Sequence, residues 1–359
     1  MKRPVLFTGD IFRLQARGGI TRYTLELIPR LSREREVLLG LHVSAEASRL
    51  GRWGRAGLRI PAVRGAARLA APLNRLLDAA WLRRGGVTLH PTYYRDPRSL
   101  PSPAPLVVTV HDMTHERFPG LLGPNRGPER HKAALCARAA RLLCYSEATR
   151  RDLVELLGVS ESRIRVTPLA ARDWSQSPGE PLPGVEWPFV LWVGPRHAYK
   201  NFERGLRAWA GSGAAAGTHL VCVGGASLRR SERALLGALG VSSRVHRHEA
   251  SDGQLRWAYE RAECLLYPSL WEGFGLPVVE AMALGCPVVT SSRSSLPEAG
   301  GEAADYADPE DLDSLHAALE RCLAAGRGAT RAAALRAQAA RFSWDACAAL
   351  HEAVYQELD

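Results

Sequence analysis

Short apolar runs alternate along the chain with stretches whose apolar positions recur every three or four residues. In the first half this pattern predicts strands at Pro4–Thr8, Glu36–Val43, Val87–His90, Leu106–His111, Leu142–Ser146 and Arg163–Pro168. Helices are predicted at Ile20–Arg33, Ala133–Ala140 and Glu147–Leu157. The alternation stops at Ala171–Trp187, which carries Pro178, Pro181 and Pro183 and reads as a linker. It then restarts with strands at Phe189–Val193, Thr218–Val223, Cys264–Tyr267 and Pro287–Thr290. Helices are predicted at Asn201–Ala210, Pro277–Leu284, Asp311–Ala325 and Ser343–Leu358. Strands alternating with helices imply parallel sheets covered on both faces, so the fold class is α/β with two doubly wound domains. The expected boundaries are 1–172 and 187–342, with 343–359 as a terminal helix. Ligands of such sheets sit beyond the carboxyl ends of the strands, which makes a cleft between the domains the expected site.

Composition agrees with that architecture. The 359 residues suffice for two domains, and 46% hydrophobic residues suffice for two cores. The seven cysteines are widely spaced, form no CxxC pair and mostly lie in apolar surroundings, which predicts buried thiols in a reducing cytoplasm. The apolar run at the N-terminus is too short for a signal peptide, and no run is long enough to span a membrane. Charge changes the picture only when divided. Residues 1–170 hold 29 basic and 14 acidic side chains, whereas residues 171–359 hold 18 and 23. The basic half suggests an anionic partner, for which a membrane surface and a lipid phosphate are candidates. Ala62–Trp81, with Arg64, Arg68 and Arg75 among Ala, Leu and Trp81, could form a basic amphipathic helix on such a surface. An ordinary helix with a solvated arginine face fits the same pattern. Nucleic acid is not expected, because no aromatic-interleaved basic motif is present.

The densest chemistry lies in Cys264–Thr290. A strand ends at Pro268, Glu272 follows on a loop with Gly273 and Gly275, and Pro277 opens a helix that carries Glu280. Glycines allow backbone to approach a ligand, and free N–H groups at a helix start favour phosphate. Glu272 and Glu280 are suited to accept hydrogen bonds from sugar hydroxyls. In the segment Phe189–Asn201, a strand ends at Gly194 and the cations Arg196 and Lys200 follow before a helix. Two cations there could stabilise a departing diphosphate without a metal ion.

These two segments resemble the family-4 glycosyltransferases, which have the GT-B fold and retain anomeric configuration. The resemblance implies that Glu272 and the Gly273, Phe274, Gly275 and Leu276 loop hold the donor sugar. It gives Glu280 the ribose hydroxyls and assigns Arg196 and Lys200 to the diphosphate. In the N-terminal half, Gly18 and Gly19 open a helix after the first strand, and relatives place this loop near the donor phosphates. His111 ends a strand, and in the family it lies near the reacting carbon. Arg22, Tyr23, Tyr93, Tyr94 and Asp112 are acceptor-side candidates. His90 ends a neighbouring strand, and Glu298 matches a Pro-Glu that relatives carry near the donor. The terminal helix, in this fold, returns to brace the N-terminal domain.

Three other patterns are weaker. His111 and His115 have a helical spacing for a metal but fall in a loop, so no metal and no cofactor are expected. Asp311 and Asp313 match a DxD metal motif but open a helix, where acidic residues are favoured for electrostatic reasons. Neither Gly9 nor Gly194 begins a GxGxxG fingerprint, which argues against a dehydrogenase. The His90–Tyr94 and Gly194–Asn201 segments look like those of bacterial mannosyl- or rhamnosyltransferases of surface-polysaccharide assembly, most of which use GDP-sugars. The expected function is therefore a metal-independent, retaining transfer of mannose or rhamnose from a GDP-sugar to a glycan or lipid-linked acceptor. It would take place in the cytoplasm, with peripheral contact at the inner membrane face. UDP- or ADP-sugar use, and a non-catalytic scaffold of the same fold, are the alternatives.

Overall fold

Among the described residues, twelve short strands, each closed by a glycine, proline or polar loop, organise the structure. It is a computed structural model describing residues 2–15, 18–40, 66–100, 103–122 and 127–359. The chain divides into two units: Met1–Leu169 together with Ser343–Asp359, and Ala170–Phe342.

In the first unit the strands are β1 (Val5–Phe7), β2 (Val37–Leu39), β3 (Thr88–His90), β4 (Val107–Val110), β5 (Arg141–Cys144) and β6 (Ile164–Val166). They pair in parallel as β2-β1-β3 and β4-β5-β6, and a parallel bridge between Leu89 and Leu106 links the two groups. Residues of β1 to β5 are almost all buried on both faces, as strands between two helical layers must be. The principal helices are α1 (Gly19–Leu31), α2 (Ala66–Arg84) and α3 (Glu147–Leu157). Ser146 caps α3 by accepting from Thr149 N–H, and Gly158 ends it in the left-handed conformation at φ 61°. The C-terminal helix, Trp344–Gln356, packs on α1.

The second unit has one six-stranded parallel sheet. Its strands are β7 (Phe189–Val193), β8 (His219–Val223), β9 (Val245–His248), β10 (Cys264–Tyr267), β11 (Val288–Ser291) and β12 (Asp305–Ala307). Their order across the sheet is β12-β11-β10-β7-β8-β9. The chain builds outward from β7 through β8 and β9, then returns to the opposite side of β7 with β10. The strand order therefore reverses between β7 and β10, and this reversal opens a crevice at their carboxyl ends. Helices α4 (Phe202–Gly211), α5 (Arg230–Ala238), α6 (Asp252–Arg261), α7 (Leu276–Ala283) and α8 (Leu312–Ala325) cover the sheet. Trp192, Trp209, Leu206, Cys222, Leu266 and Leu319 are among the side chains of its core.

The proline-bearing stretch 171–187 is not a free tether. Trp174, Leu182 and Val185 are buried, and Arg256 on α6 donates to the carbonyls of Trp174 (2.8 Å) and Ser177 (3.2 Å). Its three prolines break the strand–helix pattern, but its apolar side chains still find a core. All seven cysteines are buried and unbridged. Among the described residues, no helix is long and apolar enough to cross a membrane.

Candidate functional site

The reversal point in the second unit sets two loops side by side, one leaving β7 with Arg196 and Lys200 and the other leaving β10 with Glu272. Asn201 sits at φ 63°, and its amide donates to the carbonyls of Pro268 (3.1 Å) and Pro309 (2.6 Å). Leu270 N–H donates to the Tyr199 carbonyl at 2.8 Å, joining the loops directly. Lys200 Nζ donates to Glu272 Oε1 at 2.6 Å and to Tyr267 Oη at 2.8 Å. It also lies 5.0 Å from the Tyr267 ring centroid and 5.2 Å from that of Tyr199, so two aromatic rings lie close to the ammonium. Burial, and then the Glu272 carboxylate, push the Tyr267 phenol well above its ordinary range.

Glu272 is held through its backbone as well as its carboxylate. Its N–H donates to Ser294 Oγ at 3.1 Å, and its carbonyl accepts from Ser295 Oγ at 2.9 Å. Gly273, Phe274 and Gly275 are buried, and Phe274 turns its ring onto Phe342. That leaves the loop's backbone, rather than Phe274's side chain, to meet a ligand. Gly275 precedes α7 at φ 103°, and a Cβ there would fall 2.8 Å from Leu296. Leu276 opens α7; Pro277 has no N–H and Val278 N–H donates to the Gly275 carbonyl at 2.9 Å, so the Leu276 N–H is the group of the first turn left without an intrahelical acceptor. Glu280, one turn further on, is buried and accepts from Tyr259 Oη at 3.3 Å. Glu298 is half-buried on a separate short helix, Leu296–Gly300.

Arg196 is buried, with Nε 3.2 Å from Glu232 Oε1 and a further bond to the Ala226 carbonyl. Its Nη1 has no hydrogen-bond partner among the described residues. Glu232 also accepts from Arg229 N–H at 2.6 Å, so one carboxylate caps α5 and holds Arg196. Gly225, at φ 71°, lets the β8 loop approach the β7 loop; a Cβ there would lie 3.1 Å from Pro195 Cα.

In the first unit, loops after β1 and β3 meet through Thr92, whose hydroxyl donates to the Thr8 carbonyl at 2.6 Å. Gly18 precedes α1, and Gly19, its first residue, is exposed. His111 follows β4, with Nδ1 2.7 Å from Tyr145 Oη, its ring stacked on Tyr93 and its N–H donating to Tyr94 Oη. Burial pulls the imidazole down to about 4, so it is neutral at pH 7. Burial alone would raise Asp112, but Lys132 and bonds from Thr114 hold it below the usual carboxylate range. The buried Lys132 donates to the Asp112 carbonyl at 2.8 Å and to Glu116 at 2.7 Å. Tyr93 Oη donates to Glu129 at 2.6 Å, and Arg22 is half-buried on α1.

Tyr23 has a different place from an open acceptor side. It is buried, and its hydroxyl lies 2.7 Å from His351 Nε2 and 3.1 Å from Thr109 Oγ1. His90 is also interior, with Nδ1 2.6 Å from Tyr355 Oη and Nε2 2.8 Å from Thr109 Oγ1. The proton positions follow by elimination. His351 Nδ1 faces the Cys347 carbonyl at 2.7 Å, which can only accept, so Nδ1 carries the proton. Tyr23 must then donate to His351, Thr109 to Tyr23, His90 to Thr109 and Tyr355 to His90. Five bonds run in one direction and begin and end on the C-terminal helix.

Asp311 accepts from the N–H groups of Asp313 and Ser314 and so caps α8. Among the described residues, no three histidine, cysteine or acidic side chains gather as a metal would require. Several interacting residues carry no local sequence signal: Tyr267, Glu232, Ser294, Tyr145 and Lys132 meet their partners only through the fold.

The model of the Glycosyltransferase Family 4 domain matches residues 17–171, and that of glycosyl transferases group 1 matches residues 188–325. The O-antigen chain mannosyltransferase B of Escherichia coli is 30% identical over 363 aligned positions, covering 92% of this chain and 93% of that protein. Among solved structures, sucrose-phosphate synthase from Thermosynechococcus elongatus superposes with a TM-score of 0.76 at 20% identity, covering 99% of both chains. The Anabaena protein HepE, in complex with UDP and glucose, superposes with a TM-score of 0.74 at 18% identity, covering 99% of this chain and 100% of that one.

Proposed function

Since the chain belongs to the family-4 glycosyltransferases and has the GT-B fold, we propose that it moves a hexose from a nucleotide-sugar to a glycan or lipid-linked acceptor in surface-polysaccharide synthesis. The transfer needs no metal ion and retains anomeric configuration. Mannose from a GDP-sugar is the favoured donor group, on the strength of the mannosyltransferase that is similar over most of both chains. The polysaccharide setting has the same support.

The observation that carries the donor assignment is the convergence of Lys200, Glu272 and the start of α7 at the β7/β10 reversal. In this reading the second unit holds the donor. Lys200, Arg196 and the Leu276 N–H at the start of α7 stabilise the diphosphate as negative charge develops on it. Glu272 accepts from the sugar hydroxyls and Glu280 from the ribose. Stabilisation of the leaving group by fixed cations and amides removes the need for a bound divalent ion. The first unit takes the acceptor, with His111, neutral at pH 7, available to hydrogen-bond rather than to carry charge. The seven buried thiols suit the cytoplasm. Exposed Leu73 and Leu76, beside exposed Arg75 on α2, suit peripheral contact with an anionic membrane.

The test is nucleotide release from a panel of GDP-, UDP- and ADP-sugars with EDTA present, and Glu280→Ala as control. Release from a GDP-sugar, lost in the control, is expected. Release that vanishes in EDTA and returns with one divalent ion would overturn the metal-free mechanism. Silence across the whole panel would favour a non-catalytic scaffold.

A further inference from the structure

We propose that Lys200 and Glu272 form a pair which the donor must split, and that Tyr267 is the positioning residue that keeps the Lys200 ammonium in place once Glu272 has turned to the sugar. The inference rests on the donor-site reading above and adds a means of releasing product to it.

Both side chains of the pair are only 11% exposed, and the N–O distance is 2.6 Å. Little water screens their attraction, so the cation is already neutralised before any ligand arrives. A free nucleoside diphosphate offers Lys200 a new partner but offers Glu272 nothing. It must compete with Glu272 for the ammonium and also meets that carboxylate as a like charge. An intact sugar nucleotide differs, because its sugar hydroxyls can donate to Glu272 while its diphosphate takes Lys200. The pair therefore favours the substrate over the spent nucleotide. Once the sugar has gone to the acceptor, Glu272 loses its hydroxyl partners and returns to Lys200, and the diphosphate is displaced.

Tyr267 makes this exchange possible without letting the lysine wander. It is the last residue of β10, and its carbonyl accepts from Thr290 Oγ1 at 2.9 Å, which fixes the strand end. Its hydroxyl accepts from Lys200 at 2.8 Å, and its ring centroid lies 5.0 Å from the ammonium. Being neutral, the phenol anchors the lysine without competing with a phosphate for its charge.

Calorimetric titration of GDP, UDP and ADP into the full-length protein tests both parts. For whichever diphosphate the wild type binds, Glu272→Gln should bind about 5- to 10-fold more tightly, since a charge-assisted competitor has been removed, while turnover falls. Adding Tyr267→Phe to Glu272→Gln should abolish most of that gain without moving the melting temperature. Should the glutamine variant fail to fold, Glu272→Ser carries the same expectation. Equal or weaker diphosphate binding by a folded Glu272→Gln, with the wild type active on a donor, overturns the splitting of the pair and leaves the transferase reading standing. Tightening that survives Tyr267→Phe overturns the role of Tyr267. Absence of diphosphate binding in the wild type and the variant alike overturns the donor site and this inference together.

Discussion

Tyr23, His90 and His351 illustrate how burial dictates protonation at single residues. Burial pulls His351 and His111 from their ordinary 6.5 to about 4, and pulls His90 well down too, while the unfolded chain keeps the ordinary value. Between roughly pH 6.5 and 4 the unfolded state thus binds more protons than the folded one. Linkage then requires stability to fall as pH drops through that window and to be fully present above it. Urea unfolding at a series of pH values should show this decline, and His351→Gln should flatten it. Equal stability at pH 5 and pH 7 would refute the assignment of neutral buried imidazoles. Glu272, Glu280, Arg196 and Lys200 could be picked out from sequence because each stands at a strand end or helix start with a recognisable neighbourhood. Tyr267 and Glu232 could not, since they meet Lys200 and Arg196 across 67 and 36 residues, a proximity that only the sheet creates. Tyr23 lay in a promising loop-to-helix segment, but periodicity cannot tell which helical face a later helix will cover.

At the scale of elements, the strand–loop–helix around Glu272 depends on the backbone turn at Gly275. A side chain there would have to adopt φ 103° and would also press on Leu296. Gly275→Ala should therefore cost about 1–3 kcal/mol of stability and lower donor turnover as the α7 start shifts. Chemical denaturation and steady-state rates check this, and an unaffected variant would show that the turn is not strained. Strands with continuous apolar runs, such as Phe189–Val193 and Cys264–Tyr267, were legible to the residue. Val245–His248 was not, because Val-His-Arg-His has one apolar residue and sits at the sheet edge. Asp305–Ala307 is likewise an edge strand of mixed polarity. Helices α5 and α6 carry charge on most turns, and only tertiary contact reveals which side is inward.

On the scale of the whole molecule, charge is partitioned between the halves of the sequence, and α2 gives the basic half a definite surface. Its described outer positions include Leu73 at 47% and Leu76 at 67% exposure, with Arg75, Arg83 and Arg84 exposed. Its one acidic residue, Asp78, is turned inward to Arg95 at 3.4 Å. Arg64 of the predicted helix lies outside the described residues, as does the side chain of Arg68. Vesicles rich in phosphatidylglycerol should float the protein at low salt and release it at high salt, because exposed charges are screened. Leu76→Glu should weaken flotation, and failure of the wild type to float would remove the membrane reading.

The one-way run of hydrogen bonds from Tyr355 to Cys347 has a consequence for how the protein is made. Ribosomes deliver the first unit's sheet early, yet His90 and Tyr23 find their last partners only on Trp344–Gln356. Until those residues emerge, buried polar groups of the first unit lack an acceptor or a donor. Residues 170–342 meanwhile contain a complete sheet and core of their own. The half that is translated first is the half that must wait longest to become native.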